Sequence, residues 1–168
     1  SCIIKEKEIV LSNTVKNTGG QEMSRKKFES AFEIREQAEI LFPLFSAEGE
    51  KLWVPDWDYI AVSEGTDLHE DYVFLTSNHD FATTNAIWLV KRYEPENHFV
   101  QFYKIEPEDK IAIVSVRCEQ LENQNTKVTV CYEYIGLTKK GRDFIEDHGQ
   151  GDFEAFIKEW KILLEQYF

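Results

Sequence analysis

Along residues 151–168, Phe153, Phe156, Ile157, Trp160, Leu163, Leu164 and Tyr167 recur at the spacing of one helical face, and Glu154, Lys158, Glu159, Lys161 and Glu165 fall away from it. A helix of this kind needs a large apolar partner. Upstream, the period changes to two: over residues 27–36, Phe28, Ser30, Phe32 and Ile34 lie on one side and Lys27, Glu29, Glu33 and Arg35 near or on the other, which predicts a strand. Ala38 to Ser46 reads as a short apolar helical segment limited or kinked by Pro43, and residues 47–52 as a further turn. Strands are predicted at about 59–64, 70–76, 81–93, 98–105, 110–121 and 126–135, with turns at 65–67, 78–80, 94–97, 106–109 and 123–125. The expected class is α+β: a curved antiparallel sheet of about seven strands wrapped around a long C-terminal helix, with two short helices after the first strand. Aromatic residues on that helix either fill the concave space completely or leave a cavity lined with rings.

The last hairpin shows how facing is argued. A three-residue loop of Asn123, Gln124 and Asn125, with Asn125 at positive φ, sets Val116 opposite Tyr132, Val114 opposite Tyr134 and Cys118 opposite Val130. One face becomes apolar and aromatic, and Ser115, Arg117, Glu119, Thr129 and Glu133 form a solvent face. A slip of one residue would turn Ser115 and Arg117 toward the aromatics, so the first register is favoured. Cys118 and Cys131 then point to opposite faces and are expected to be unpaired.

Length and charge narrow the functional classes. With 168 residues the chain fits one domain with a core of its own. Its net charge of −12 disfavours nucleic acid and anionic membrane surfaces, whose binders need a basic footprint. No apolar run reaches the roughly 18 to 20 residues of a membrane span. Three cysteines without close pairing suit a reducing compartment, so the expected localisation is cytoplasmic. Met23 is the only methionine, and residues 1–26 are set apart as an N-terminal extension of uncertain origin, which Ile3, Ile4, Ile9, Val10 and Leu11 could tie down. Residues 27–168 form the expected domain.

Candidate chemistry is sparse. His69, His79 and His98 would be the simplest acids or bases, but all three sit in or beside predicted turns, where a solvated histidine is the commoner outcome. His69, Glu70 and Asp71 are adjacent, so they do not converge on a metal, and no metal site is expected. The chain has no glycine-rich phosphate loop and no nucleophile elbow, and no cofactor is expected.

The run Leu41-Phe42-Pro43-Leu44-Phe45, then Lys51-Leu52-Trp53-Val54-Pro55-Asp56-Trp57, Ala86-Ile87-Trp88-Leu89-Val90, Arg92-Tyr93-Glu94-Pro95, Tyr132-Glu133-Tyr134-Ile135-Gly136-Leu137-Thr138 and the helix around Trp160 resembles the SRPBCC superfamily. That superfamily has a helix-grip fold and includes the birch-pollen allergen, START domains and polyketide cyclases; the order and spacing are most like mostly uncharacterised bacterial, polyketide-cyclase-like members. The resemblance covers about residues 27–168. It implies a cavity between the sheet and the terminal helix, but not one reaction. The candidate walls in this chain are Trp53, Trp57, Phe74, Trp88, Tyr103, Val114, Val116, Tyr132, Tyr134, Phe156 and Trp160.

Three functional readings follow. The leading one is binding or carriage of a small hydrophobic or aromatic ligand, which needs a pocket of about 300 Å3 or more. A polyketide cyclase or dehydratase type of enzyme is the second and needs an inward titratable group, which the favoured register does not supply. A protein-interaction module like the superfamily's activators of the Hsp90 chaperone is the third, and a sealed interior would favour it.

Overall fold

The computed structural model describes residues 15–16, 22–77 and 86–168. Two short strands, β1 (Val15–Lys16) and β2 (Glu22–Met23), pair with each other and precede β3 (Arg25–Ile34). In β3 the alternation works as expected: Phe28, Phe32 and Ile34 are buried, and Lys27, Glu29 and Glu33 face out. Next come α1 (Ala38–Leu41), a 3-10 turn (Phe42–Phe45) that begins where Pro43 ends the α-helical pattern, and α2 (Ala47–Glu50). The Ser46 hydroxyl caps α2 by accepting from the Gly49 N–H at 2.9 Å.

The other strands are β4 (Ile60–Ala61), β5 (Val73–Thr76), β6 (Ala86–Glu94), β7 (Phe99–Ile105), β8 (Lys110–Gln120) and β9 (Thr126–Gly136). They form with β3 an antiparallel seven-stranded sheet in the order β3-β9-β8-β7-β6-β5-β4. The chain closes with α3 (Lys139–Asp147) and the long α4 (Gln150–Tyr167). This is the helix-grip fold. The expected turn at 78–80, His79, the start of the strand expected from residue 81, and the apolar residues expected to tie down the N-terminus lie outside the described residues. Among the described residues no helix is long and apolar enough to cross a membrane.

Several expectations need correction. The β8–β9 register is Val114 opposite Tyr132, Val116 opposite Val130 and Cys118 opposite Val128, a slip of two residues. Five residues, 121–125, close the hairpin, and positive φ falls on Gln124 rather than Asn125. The loop is shaped by the Asn123 side chain accepting from the Asn125 N–H at 3.0 Å and by the Gln120 side chain donating to the carbonyls of Gln124 and Asn125, each at 3.0 Å. A slip of two preserves facing, so Val114, Val116, Tyr132 and Tyr134 still point to the core. Cys118 is a buried free thiol, whereas Cys131 is disulfide-bonded, against the expectation that both are unpaired.

The terminal helix packs on β3, with Phe153, Ile157 and Leu164 buried and the Phe153 ring stacked on Phe28 at 5.6 Å. The buried stripe is narrower than expected. Trp160 and Leu163 are half-buried, while Phe156 and Tyr167 are 37% and 43% exposed. Helix α3, which the hydrophobic pattern did not predict, is capped by Thr138 and lies against β9. Its carboxyl end is held by the Lys26 ammonium, which donates to the carbonyls of Ile145 (2.9 Å) and His148 (3.3 Å).

Two substitutions separate close packing from open space. At Gly49, where α2 meets the 3-10 turn, a Cβ would stand 2.1 Å from the Pro43 carbonyl oxygen; at Gly151 nothing lies within 4 Å. Gly49→Ala should destabilise by roughly 1 to 3 kcal/mol in urea unfolding, and Gly151→Ala should be neutral or gain up to roughly 1 kcal/mol. Phe153→Ala should cost about 3 to 5 kcal/mol; a loss below about 1 kcal/mol would show that α4 does not close the core.

Candidate functional site

Between α4, the short helices and the concave face of the sheet lies a void of about 20 Å3, lined by Phe45, Ala47, Glu50, Phe74, Trp88, Phe102, Val114, Val116, Tyr132 and Trp160. That volume holds about one water molecule. The interior is therefore filled with rings rather than hollow. Phe74 stacks on Trp88 at 5.6 Å, Phe102 meets Trp88 edge-on at 5.7 Å, and Trp160 lies over Phe45 at 6.2 Å and edge-on to Tyr132 at 6.4 Å.

Of the candidate walls, Phe74, Trp88, Val114, Val116, Tyr132 and Trp160 face the void. Trp53, Trp57, Tyr134 and Phe156 stand behind or beside it. Trp53 is buried against Phe45 and Trp160, and its indole donates to the Leu44 carbonyl at 2.7 Å. Trp57 reaches Trp88 edge-on, and its indole donates to the Ala47 carbonyl at 2.8 Å. Tyr134 packs with Phe28, Phe144 and His148. Tyr103 lies on the opposite, outer face of the sheet, under the Lys91 ammonium, because β7 turns Val100 and Phe102 inward. Phe102 takes the place proposed for Tyr103.

The tryptophans differ in how firmly they are tied. Trp88 donates to the Thr76 hydroxyl at 2.9 Å, so three of the four indoles are held by hydrogen bonds. The Trp160 indole makes none among the described residues and is half-buried. Trp160 is held by packing against Phe45, Trp53, Tyr132 and Phe156.

Glu50 is the residue the sequence reading missed. The two carboxylates of α2 diverge: Glu48 points outward and accepts from the Tyr59 hydroxyl at 2.6 Å, which lowers its pKa, while Glu50 turns to the void. Burial pushes the Glu50 carboxyl up to about 8, opposed by the charge of Lys104. Among the described residues it has no hydrogen bond or ion pair. The Tyr132 hydroxyl, likewise without a hydrogen bond there, is held well above its usual range by burial, with Tyr134 and Glu50 adding to the effect. Two polar side chains without a hydrogen bond among the described residues, the half-buried Glu50 and the buried Tyr132, thus line one aromatic void.

The other groups considered for chemistry lie elsewhere. The exposed His69 contacts the Glu70 carbonyl, and His98, in the left-handed region, ends the 3-10 turn after β6. Arg117 lies over the outward Phe99 ring and Glu133 pairs with Arg25. No group of acidic, histidine or cysteine side chains among the described residues could hold a metal. A more open groove of about 210 Å3 on the outer face is lined by Glu29, Phe99, Ser115, Arg117, Glu119, Lys127 and Thr129. Its two cations are matched by two carboxylates, and Lys127 stands opposite Glu119, so it favours no charge class. Ser115, expected on the solvent face, is buried there and accepts from the Gln101 amide at 3.0 Å.

A raised carboxyl pKa has a definite signature in stability. The folded state retains the Glu50 proton to about pH 8 while the unfolded chain releases it near 4.5, so the unfolded state binds fewer protons between these values and this group's contribution falls as pH rises. The slope is at most about 1.4 kcal/mol per pH unit. Glu50→Gln should flatten the fall, with its melting temperature rising relative to the parent from pH 5 to pH 8; parallel curves would place the carboxyl in solvent.

No protein-family model matches the chain, and no curated protein matches it. Solved structures share its fold. Major latex-like protein 151 from Panax ginseng aligns with a TM-score of 0.64 at 16% identity, over 85% of this chain and 97% of that one. Norcoclaurine synthase from Thalictrum flavum, in complex with dopamine and hydroxybenzaldehyde, aligns with a TM-score of 0.63 at 11% identity, over 96% and 98%. The Mll3558 protein from Rhizobium loti aligns with a TM-score of 0.58 at 14% identity, over 88% and 100%. At such identities the likeness is one of fold, and the fold is that of the birch-pollen-allergen-like helix-grip proteins.

Proposed function

We infer that the chain binds a small aromatic ligand between the sheet and the terminal helix. The observation that supports this reading is the pair of polar groups without a hydrogen bond among the described residues, Glu50 and Tyr132, on a wall otherwise made of rings and small apolar side chains. Apolar pockets with a few convergent polar groups are the usual form of ligand sites. The nearly filled interior by itself favours a protein-interaction module, but such a module has no use for an inward carboxyl, and an apolar residue there would be more stable. Because the void is far smaller than a ligand, binding requires the Trp160 side chain to swing out. Neighbours of this fold include a synthase with dopamine and hydroxybenzaldehyde bound, which is compatible with aromatic ligands here. An inward carboxyl also supplies the titratable group that a cyclase-type enzyme would need, and Glu50 would be its acid or base.

The test is a panel of flavonoids, quinones, fatty acids and phosphorylated metabolites, followed by tryptophan fluorescence and calorimetry. At least one neutral aromatic compound should bind at tens of micromolar or tighter, roughly −6 kcal/mol, with the change in emission lost in Trp160→Phe. Binding confined to fatty acids or phosphates would refute the reading.

A further inference from the structure

Six rings, those of Phe45, Phe74, Trp88, Phe102, Tyr132 and Trp160, surround the interior void, and among the described residues Glu50 is the carboxyl on its wall. We propose that the ligand of this interior is an organic cation, whose protonated amine sits against the Glu50 carboxylate and the faces of the surrounding rings. This rests on the ligand-binding reading above and narrows it to one charge class.

A carboxyl with no hydrogen bond or ion pair among the described residues is completed by a cationic donor better than by any other group. The ring faces act in the same sense, since each presents the negative side of its quadrupole, and aromatic walls around an acid are the usual means of holding ammonium groups. A carboxylate or phosphate would meet these faces and Glu50, and among the described residues no cation lines the void to replace its hydration. The strand beside Trp88 already shows the geometry: the Lys104 ammonium lies 5.4 Å from the centre of that indole. It is engaged by Glu106 at 3.3 Å and makes no ion pair with Glu50. A void the size of one water accommodates the nitrogen, and the ligand's ring takes the space that Trp160 yields.

Few other groups bear on the charge of Glu50. The titratable Tyr132 faces it from β9, and Lys104 acts on it from β7; β6, β8 and α4 contribute Trp88, Val114, Val116 and Trp160, none of which titrates. The proton is accounted for simply: below the carboxyl's midpoint an arriving ammonium forms the ion pair, and the Glu50 proton leaves to solvent. Amine affinity therefore rises with pH until Glu50 is ionised in the free protein.

The test compares three probes of one shape, phenethylamine, 2-phenylethanol and phenylacetate, by calorimetry at pH 6, 7 and 8.5 on the full chain and on Glu50→Gln. Phenethylamine should bind at least roughly tenfold tighter than the alcohol at pH 8.5, about 1.4 kcal/mol, with a smaller preference at pH 6. In Glu50→Gln, confirmed as folded by its thermal transition, the amine-to-alcohol ratio should fall to about one. An alcohol that binds as tightly as the amine, or a preference that survives in Glu50→Gln, would overturn the cation assignment while leaving ligand binding intact. If none of the three probes binds and the aromatic panel also fails, both readings fall together.

Discussion

The apolar stripe of α4 must be covered, and the concave face of the sheet covers it. Phe153, Ile157 and Leu164 are fully withdrawn from water there, with Phe153 between Phe28 and Tyr132. Burying side chains of this size supplies roughly 1.5 to 3 kcal/mol each, which explains why the sheet curls around the helix. The remainder of the interior follows from that closure. Phe45, Trp53 and Trp57 pack beside the short helices, with both indole N–H groups satisfied by the carbonyls of Leu44 and Ala47.

Against so full an interior, the Glu50 carboxyl stands out. A wall selected for stability alone would carry an apolar residue at that position, since even a half-buried acid is partly stripped of water when charged. Its neighbours are also arranged so that a hydroxyl and an untethered indole meet it on the same void.

The architecture was legible because strands and terminal helix obey clean periods. The alternation in β3 and the helical spacing from Phe153 to Leu164 each admit one facing. What was not legible shares a cause: the pattern there is degenerate. Phe99, Val100, Phe102 and Tyr103 offer apolar residues on both faces of β7, so Tyr103 and Phe102 could not be told apart by alternation. A slip of two in the last hairpin changes every pairing without changing a single facing. Helix α3 opens with Lys139, Lys140, Gly141 and Arg142, and only Phe144 and Ile145 supply an apolar signal. Glu50 lies in a four-residue helix, too short to show a period, and its direction is set by the N-cap at Ser46 and the close approach of Gly49 to Pro43. The disulfide at Cys131 removes the basis for reading a reducing compartment from the cysteines.

Burial pushes the Glu50 carboxyl up to about 8, so it should keep its proton at neutral pH. Carbon-detected NMR of protein labelled at the glutamate side-chain carboxyls, followed from pH 3 to pH 10, tests it most directly. One resonance, absent from Glu50→Gln, should titrate near pH 8. A full set of glutamates titrating below about pH 6, near their ordinary values, would contradict it.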